Sequence, residues 1–496
     1  MHRHQSSGNR VSLNAGKIRS FAEQSVRTVS IPFQSHLRSF DVLLLQASVL
    51  VLLLVWSGWL YSIGDYVTLI AVGISIDLVI LYWAAVRFGI FDARFLFLAV
   101  SSLYPFVPVV DIFLLGYELY DIQYSGLSLF FTMLFFSGFF AISSLDFSIS
   151  PKTSVADVFM DRISPAVLMR SLFVAFVVYL VFLYRDVGFP LGSLTRAEIT
   201  SAISAPFAVL RLGLIVGLLL LVAKFRSVHS AGTGQVFSNA TSDSKAMREP
   251  LYVLAGSILV AAFGFMEVIV LGERRLFLTF ALASLSIAAP RRIPLLIVVA
   301  TPLLVIAFLV QVLIRDAPVE DWPSRLTGQN IQIVLDPVNT DFGAFGRIAV
   351  DILSGGPTGP FPSYSDAILT LVPRVLYPDR PEPIGVWFVR RYHPKEWVSG
   401  GGLAFNLVIE AVLNLGWSGP MILGMLLGLL FSVFIDSSVR NRLNQGLLVF
   451  ALVFAMRFDM ATLLKTAVIV GSATAGWLLI LARRPRSPSE MLLQPT

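Results

Sequence analysis

Long apolar runs separated by short polar segments make up most of the chain. A hydrocarbon core about 30 Å thick takes roughly 20 apolar residues per helical span. Twelve runs of about this length predict membrane-spanning helices. They lie near residues 42–61, 66–86, 95–116, 125–145, 166–184, 205–223, 250–271, 275–289, 293–311, 418–435, 446–464 and 466–482. The pattern therefore predicts an all-α polytopic membrane protein, with its tightest turns at 272–274 and 464–466.

The composition agrees with this pattern. Hydrophobic residues make up 56% of the chain and charged residues only 14%, whereas soluble domains are about a quarter charged. These values exclude a disordered chain, and the absence of cysteine excludes a disulfide-stapled domain and a thiolate zinc site. The net charge of +6 is not gathered on a soluble domain, so no nucleic-acid partner is expected.

The polar segments divide the chain into six parts. They are a basic tail (1–40), spans one to nine (41–311), a large loop (312–403), an interfacial helix (404–417), spans ten to twelve (418–482) and a second tail (483–496). Lys and Arg are concentrated in both tails and in alternate short loops, which the positive-inside rule assigns to the cytoplasm. We therefore expect both termini in the cytoplasm and the large loop on the opposite face.

The 312–403 loop has the composition of a folded domain. It holds eleven of the chain's 26 prolines and ten of its 35 glycines, which favours short helices joined by fixed turns over one long helix. Loops of more than about 15 residues in compact chains are usually functional or disordered. This one is too rich in aromatic residues for disorder, so we expect it to be the functional domain.

Several charged residues are predicted inside spans or at their outer ends, where an ionisable group costs about 2.5–3.5 kcal/mol. They are Arg211, Glu267, Arg457 and Asp459, at one depth of the predicted bundle, and Arg274 and Arg275 in the turn at the same face. Each could form its own ion pair or snorkel to the interface. Alternatively, the arginines could gather into one electropositive site at the depth of a lipid phosphate, whose oxygens a guanidinium binds bidentately.

A series of short motifs runs from the late loop into the last spans. They are Pro373-Arg374, Tyr377-Pro378-Asp379-Arg380-Pro381, Arg390-Arg391-Tyr392-His393-Pro394, Gly400-Gly401-Gly402, Glu410, Asn414-Leu415-Gly416 with Gly419, and Arg457-Phe458-Asp459. Over about residues 355–465 the chain resembles the oligosaccharide repeat-unit polymerases of the O-antigen polymerase (Wzy) type. Two positions depart from that family's pattern: Arg380 stands where a lysine is common, and Leu415 where an aromatic residue is common.

The resemblance implies a GT-C-like, metal-independent glycosyltransferase without a cofactor, in the inner membrane of a bacterium. Its substrates would be oligosaccharides linked to undecaprenyl diphosphate among the membrane lipids, and its partner a co-polymerase that regulates chain length. Such a donor carries its own leaving group, and arginines would stabilise the negative charge that builds on the departing phosphate oxygen. The sequence shows no aspartate pair or histidine cluster with metal-ligand spacing, so no metal ligand is predicted.

Within this resemblance, each candidate residue receives an expected role. Substrate binding is expected of Arg211, Arg274, Arg275, Arg380, Arg390, Arg391, Tyr392 and Asn414, and a catalytic role of Glu410, His393, Arg374, Arg457 and Asp459. Glu410 or His393 would be the general base. If residues 405–415 form a helix docked on the membrane, Glu410 and Asn414 share the face that looks into the loop cavity.

Other interpretations stay open. Arg374 and Arg380 could pair with neighbouring acids and only stiffen the proline-rich turn, and His393 could be an ordinary surface residue. An O-antigen ligase would use the same donor but pass the glycan to a lipid A core. A flippase or another transporter would also need cationic cavities, but such proteins usually show repeated halves and discontinuous helices.

Overall fold

The computed structural model describes residues 51–110, 122–145, 163–188, 202–235, 248–271, 274–288, 324, 341–353, 363–398, 405–435, 442–453 and 455–482. Every regular element within these ranges is helical. The chain forms two units, residues 1–56 and 57–496. The described part of the first unit is a helical stretch, residues 51–56.

Fifteen α-helices are described between Tyr66 and Ala482. They are α1 (Tyr66–Phe88), α2 (Ala93–Val110), α3 (Ile122–Ser143), α4 (Pro165–Asp186), α5 (Ala205–Gln235), α6 (Arg248–Phe265), α7 (Arg274–Ala288), α8 (Asp341–Leu353), α9 (Ser363–Leu369), α10 (Ile384–Tyr392), α11 (Pro394–Val398), α12 (Leu407–Leu415), α13 (Gly419–Phe434), α14 (Arg442–Leu452) and α15 (Met460–Ala482). A π-helical turn, Met266–Val270, continues α6, and short 3-10 helices occupy Gly416–Ser418 and Ala455–Arg457. The short helices α8 to α11 fall within the predicted 312–403 loop.

Seven described segments are long and apolar enough to cross a membrane. They are Tyr66–Phe88, Ile122–Ser143, Pro165–Asp186, Ala205–Arg226, Leu251–Val268, Leu407–Phe434 and Met460–Leu481. Three shorter apolar helices are Val51–Ser62, Ala93–Val109 and Arg275–Ala288. The prediction of a helical polytopic membrane protein is therefore confirmed. The ninth predicted span, 293–311, lies outside the described residues, and the total of twelve stays a prediction.

The spans expose apolar side chains on the outside of the bundle. On α4, Phe173, Val174 and Val181 are exposed, whereas Leu172 and Tyr179 are buried. Apolar surface of this extent on a long helix is typical of a face that contacts a membrane. The buried side chains of α4 face the rest of the protein.

The break between the last two membrane spans lies at a different place from the predicted one. Helix α14 ends at Leu452 and α15 begins at Met460, whereas the hydropathy pattern indicated a turn at 464–466. Residues on both sides of the break are apolar, so hydropathy alone placed it wrongly. Asp459 marks it instead by capping α15, where its Oδ1 accepts a hydrogen bond from the Thr462 N–H at 2.9 Å. Arg457 and Asp459 therefore lie in a connection between helices, not inside a span.

The proline-rich segment between α9 and α10 is held by hydrogen bonds from the Arg380 side chain to its backbone carbonyl groups. Arg380 Nη1 donates hydrogen bonds to the carbonyl oxygens of Thr370 and Val372, both at 3.0 Å. These carbonyls follow the C-terminus of α9, where an arginine is favourable. Arg380 therefore stiffens the turn through carbonyl groups rather than through the neighbouring acids.

A tight break separates α12 from α13. The Asn406 side chain caps α12, because its Oδ1 accepts from the Val408 N–H at 2.6 Å and its Nδ2 donates to Met456 O at 2.5 Å. The helix ends where Gly416 adopts a φ of +66°, a left-handed conformation that suits glycine. Residues 407–413 are all buried. The predicted interfacial helix is therefore packed within the protein.

Glycines let α3 and α13 pack with their backbones in close contact. A Cβ atom at Gly138 of α3 would overlap the carbonyl oxygen of Met421, and one at Gly424 of α13 would overlap that of Phe135. Small residues at helix interfaces permit this approach in membrane proteins. The α3–α13 interface thus depends on the missing side chains at these positions.

Candidate functional site

Arg211 is held in a buried network with Glu267 and Tyr179. Its Nε and Nη2 donate to Glu267 Oε1 and Oε2 at 3.1 and 2.5 Å, and Tyr179 Oη donates to Glu267 Oε1 at 3.0 Å. Glu267 is fully buried and Arg211 is 6% exposed. The bidentate pair fixes the plane of the guanidinium and cancels its charge. The ion-pair interpretation is therefore correct for Arg211, which is positioned but neutralised.

A cavity of about 240 Å³ lies beside this network and is called the Arg275 cavity here. Its lining includes Arg211, Leu212, Arg275, Thr279, Phe450 and Phe458. Arg275 lies in the first turn of α7, and its guanidinium has no hydrogen-bond or ion-pair partner among the described residues. The Arg274 side chain lies outside the described part of the chain. Arg275 is thus a cation that faces a cavity without a described counter-ion.

A second cavity of about 270 Å³ contains Arg457 and Asp459 in its lining and is called the Arg457 cavity. Phe458 lines both this cavity and the Arg275 cavity. The buried Tyr104 hydroxyl of α2 lies within electrostatic range of both Arg457 and Arg275. The structure therefore brings Arg211, Arg275 and Arg457 to neighbouring cavities, and a shared anion site stays a prediction.

Asp459 has a structural task beside Arg457. Besides capping α15, its Oδ2 accepts a hydrogen bond from the Gly385 N–H at 3.5 Å. A carboxylate at a helix N-terminus is stabilised by the helix dipole. Asp459 therefore links α10 of the loop to α15, and its expected catalytic role stays a prediction.

Glu410 lies at the centre of a third cavity, of about 170 Å³, called the Glu410 cavity. Its Oε1 accepts a hydrogen bond from Ser363 Oγ at 2.8 Å, and its Oε2 accepts one from the Met460 N–H at 2.6 Å. Asn414 Nδ2 also donates to Ser363 Oγ, at 2.6 Å. Glu410 and Asn414 therefore share one face of α12, and both reach Ser363.

Tyr364 adds a neutral phenol next to this carboxylate. Burial, and then the nearby Glu410 carboxylate, raise the pKa of the Tyr364 hydroxyl well above its usual value. Its Oη is buried and has no hydrogen-bond partner among the described residues. Tyr364 thus stays protonated beside Glu410 at ordinary pH.

The loop arginines are not gathered into one site. Arg390 pairs with Glu382, whereas the side chains of Arg374 and Arg391 are exposed. Arg374 and Arg380 lie within electrostatic range of Lys465 on α15. Phosphate binding by the loop arginines therefore stays a prediction, with Arg380 already engaged by two carbonyl groups.

The other candidate base and the candidate stacking residue lie around Phe388. His393 Nε2 lies 3.0 Å from Asp351 Oδ2, and its ring centroid is 5.6 Å from that of Phe388. The Tyr392 ring stacks on Phe388 at 4.9 Å. His393 is thus tied to Asp351 of α8, whereas the Glu410 carboxylate lines a cavity.

The three cavities form a row in the sense that each shares a lining residue with the next. Phe458 separates the Arg275 cavity from the Arg457 cavity, and Pro383 lines both the Arg457 and the Glu410 cavities. The row leads from arginines at the helices of the bundle to carboxylates at the short loop helices. It could hold an anionic group and a polar group side by side.

Sequence reasoning missed four residues of this region. Lys465, within the second turn of α15, is a charge inside an apolar run and could have been found from the hydropathy pattern. Ser363 and Asp366 of α9 line the Glu410 cavity, and Tyr104 of α2 lies within electrostatic range of Arg275 and Arg457. They gave no such signal, because α2 and α9 are distant along the chain from the motifs. Their part in the site depends on helix packing.

Comparisons with known proteins give no family for this chain. No family model matches it, and neither the curated proteins nor the solved structures contain a match. A functional conclusion therefore depends on the residues and the geometry of the three cavities.

Proposed function

We propose that the protein is a membrane glycosyltransferase that polymerises oligosaccharide repeat units linked to a polyprenyl diphosphate. The growing glycan leaves its diphosphate and joins a sugar of a new lipid-linked repeat unit. The observation that carries this proposal is the row of cavities, with unengaged Arg275 at one end and Glu410 at the other. The motif resemblance names the substrate class, and the cavities supply groups that suit it.

The diphosphate of the donor would bind at the Arg275 and Arg457 cavities. Arg275 lies in the first turn of α7, where the helix dipole is already positive, so an arginine there is favourable only with an anion. Negative charge increases on the phosphate oxygen as the glycosidic bond breaks, and fixed guanidinium groups stabilise that charge. Arg211, held in place by Glu267, lines the same cavity.

The acceptor sugar would bind in the Glu410 cavity, which is lined by carboxylates, a serine and Trp387. Hydroxyl groups of a sugar donate to carboxylates, and an aromatic side chain gives the ring an apolar surface. We place this chemistry at the outer face of a bacterial inner membrane. A chain-length-regulating co-polymerase would be the partner.

A direct test supplies the purified full-length chain with synthetic undecaprenyl-diphosphate repeat units in the presence of a chelator. A ladder of lipid-linked oligomers on a gel is expected. Starting material alone would count against the proposal. If the same preparation extends a lipid A core but makes no ladder, the protein is an O-antigen ligase instead.

A further inference from the structure

Three carboxylates line the Glu410 cavity, and they differ in their hydrogen-bond and ion-pair partners. Glu410 is fully buried and accepts hydrogen bonds from Ser363 and Met460 on its two oxygens. Glu382 forms an ion pair with Arg390. Both carboxylates therefore already have partners within the protein.

Asp366 is the third carboxylate and is unengaged. It lies on α9 and its side chain is partly exposed. It lines the cavity together with Glu410 and Trp387. Its carboxylate has no hydrogen-bond or ion-pair partner in the part of the chain that the structure describes. Its backbone oxygen accepts the Thr370 N–H at 2.9 Å, which holds the end of α9 in place.

Trp387 provides an apolar surface in the same cavity. Its ring contacts the Tyr392 ring edge-on, with the centroids 5.9 Å apart and an angle of 68° between the ring planes. An edge contact leaves ring surface for a further partner. A pyranose against Trp387 would present its hydroxyl groups to the cavity that Asp366 lines.

We propose that Asp366 is the catalytic base that takes the proton of the attacking sugar hydroxyl, while Glu410 positions Ser363 and α15. This inference rests on the proposed function. The acceptor oxygen forms a bond to the anomeric carbon of the donor as its proton passes to the Asp366 carboxylate. The bond from the anomeric carbon to the diphosphate breaks, and its electron pair stays on the phosphate oxygen. The proton then leaves Asp366 for water.

The test compares Asp366→Asn with wild type in the polymerisation assay, using the full chain and lipid-linked repeat units. We expect kcat to fall by about 10²–10⁴-fold, because general base catalysis contributes about that factor. KM should change little, and Asp366→Glu should recover part of the rate. The unfolding temperature in detergent should equal that of wild type, since the carboxylate has no described partner.

Asp379→Asn is the matched control, because Asp379 is an exposed carboxylate in the 370–383 segment and lines none of the three cavities. It should polymerise at the wild-type rate. If wild type makes a ladder and Asp366→Asn is equally active, this inference is overturned while the proposed function stands. The same holds if Asp366→Asn raises KM but leaves kcat unchanged. A wild type that makes no ladder would overturn the proposed function, and this inference with it.

Discussion

Arginines collect at two ends of the helical bundle, and the two ends use them differently. The Arg442 end is defined by Arg87, Arg94, Arg226 and Arg442; Arg442 lies within electrostatic range of both Arg94 and Arg226. Three of these side chains donate to carbonyl oxygens at helix ends. They are Arg87 to Ser144 O at 2.5 Å, Arg94 to Ser143 O at 3.4 Å, and Arg226 to Ile287 O. The protein supplies the acceptors for all three.

The Arg457 end is defined by Arg211, Arg275 and Arg457. Arg275 lies in the first turn of α7, where the nearby N–H groups repel a guanidinium and cannot accept a hydrogen bond from it. Arg211 is satisfied by Glu267, but Arg275 faces a cavity. An arginine that reaches a carbonyl oxygen at a helix end is accounted for by the fold, whereas Arg275 has no partner among the described residues.

The largest expected effect is on stability at the Arg442 end. Arg94 pairs bidentately with Asp92, and both side chains are buried. Arg94→Gln leaves Asp92 unpaired and should cost about 3–5 kcal/mol of unfolding free energy, seen as a lower unfolding temperature in detergent. Arg94→Gln combined with Asp92→Asn should recover most of the loss. If Arg94→Gln unfolds at the wild-type temperature, the Arg94–Asp92 ion pair does not stabilise the fold.

The next effect is on activity at the Arg457 end. Arg275→Ala should lower the polymerisation rate by about 10²–10³-fold, as expected for loss of one group that stabilises transition-state charge. The unfolding temperature should stay unchanged, because Arg275 has no described partner to lose. Arg87→Ala, at the opposite end, is the control and should keep the wild-type rate. A stable and fully active Arg275→Ala variant would contradict the contrast between the ends.

A smaller loss of stability is expected from a change at the α3–α13 interface, which joins the two ends. Helix α13 follows the helix of Glu410, and α3 ends at the Ser143 carbonyl that Arg94 contacts. Gly424→Ala should cost about 1–3 kcal/mol of unfolding free energy, because its Cβ overlaps the α3 backbone. Gly471→Ala on α15 meets nothing within 4 Å and should be neutral or stabilising. Equal unfolding temperatures for the two variants would refute this account of the interface.

The smallest effect separates the structural and binding contributions of Arg211. Replacing a buried ion pair by apolar residues is often neutral for stability, so Arg211→Met with Glu267→Met should still fold. Its polymerisation rate should fall about tenfold, or roughly 1.4 kcal/mol, because the double variant removes a guanidinium that lines the Arg275 cavity. An unchanged rate in the assay would make Arg211 purely structural and leave Arg275 as the phosphate ligand.

Part of the site could be predicted from local sequence. The spacing of Glu410 and Asn414 placed them on one face of a helix, and both do contact Ser363. The break before α15 was predicted at 464–466, whereas α14 ends at Leu452 and α15 begins at Met460. Hydropathy averages over a window, whereas the break depends on one hydrogen bond from Thr462 to Asp459.

Apolar runs of span length were enough to predict a helical membrane protein, because a backbone in the bilayer must satisfy its own hydrogen bonds. The charged residues within these runs also indicated where to look for function. Which arginines have partners and which face a cavity became known from the packing of the helices. The reason is that an ion pair such as Arg211 with Glu267, or the cavity beside Arg275, is formed by helices distant along the chain, and no local pattern records which of them meet.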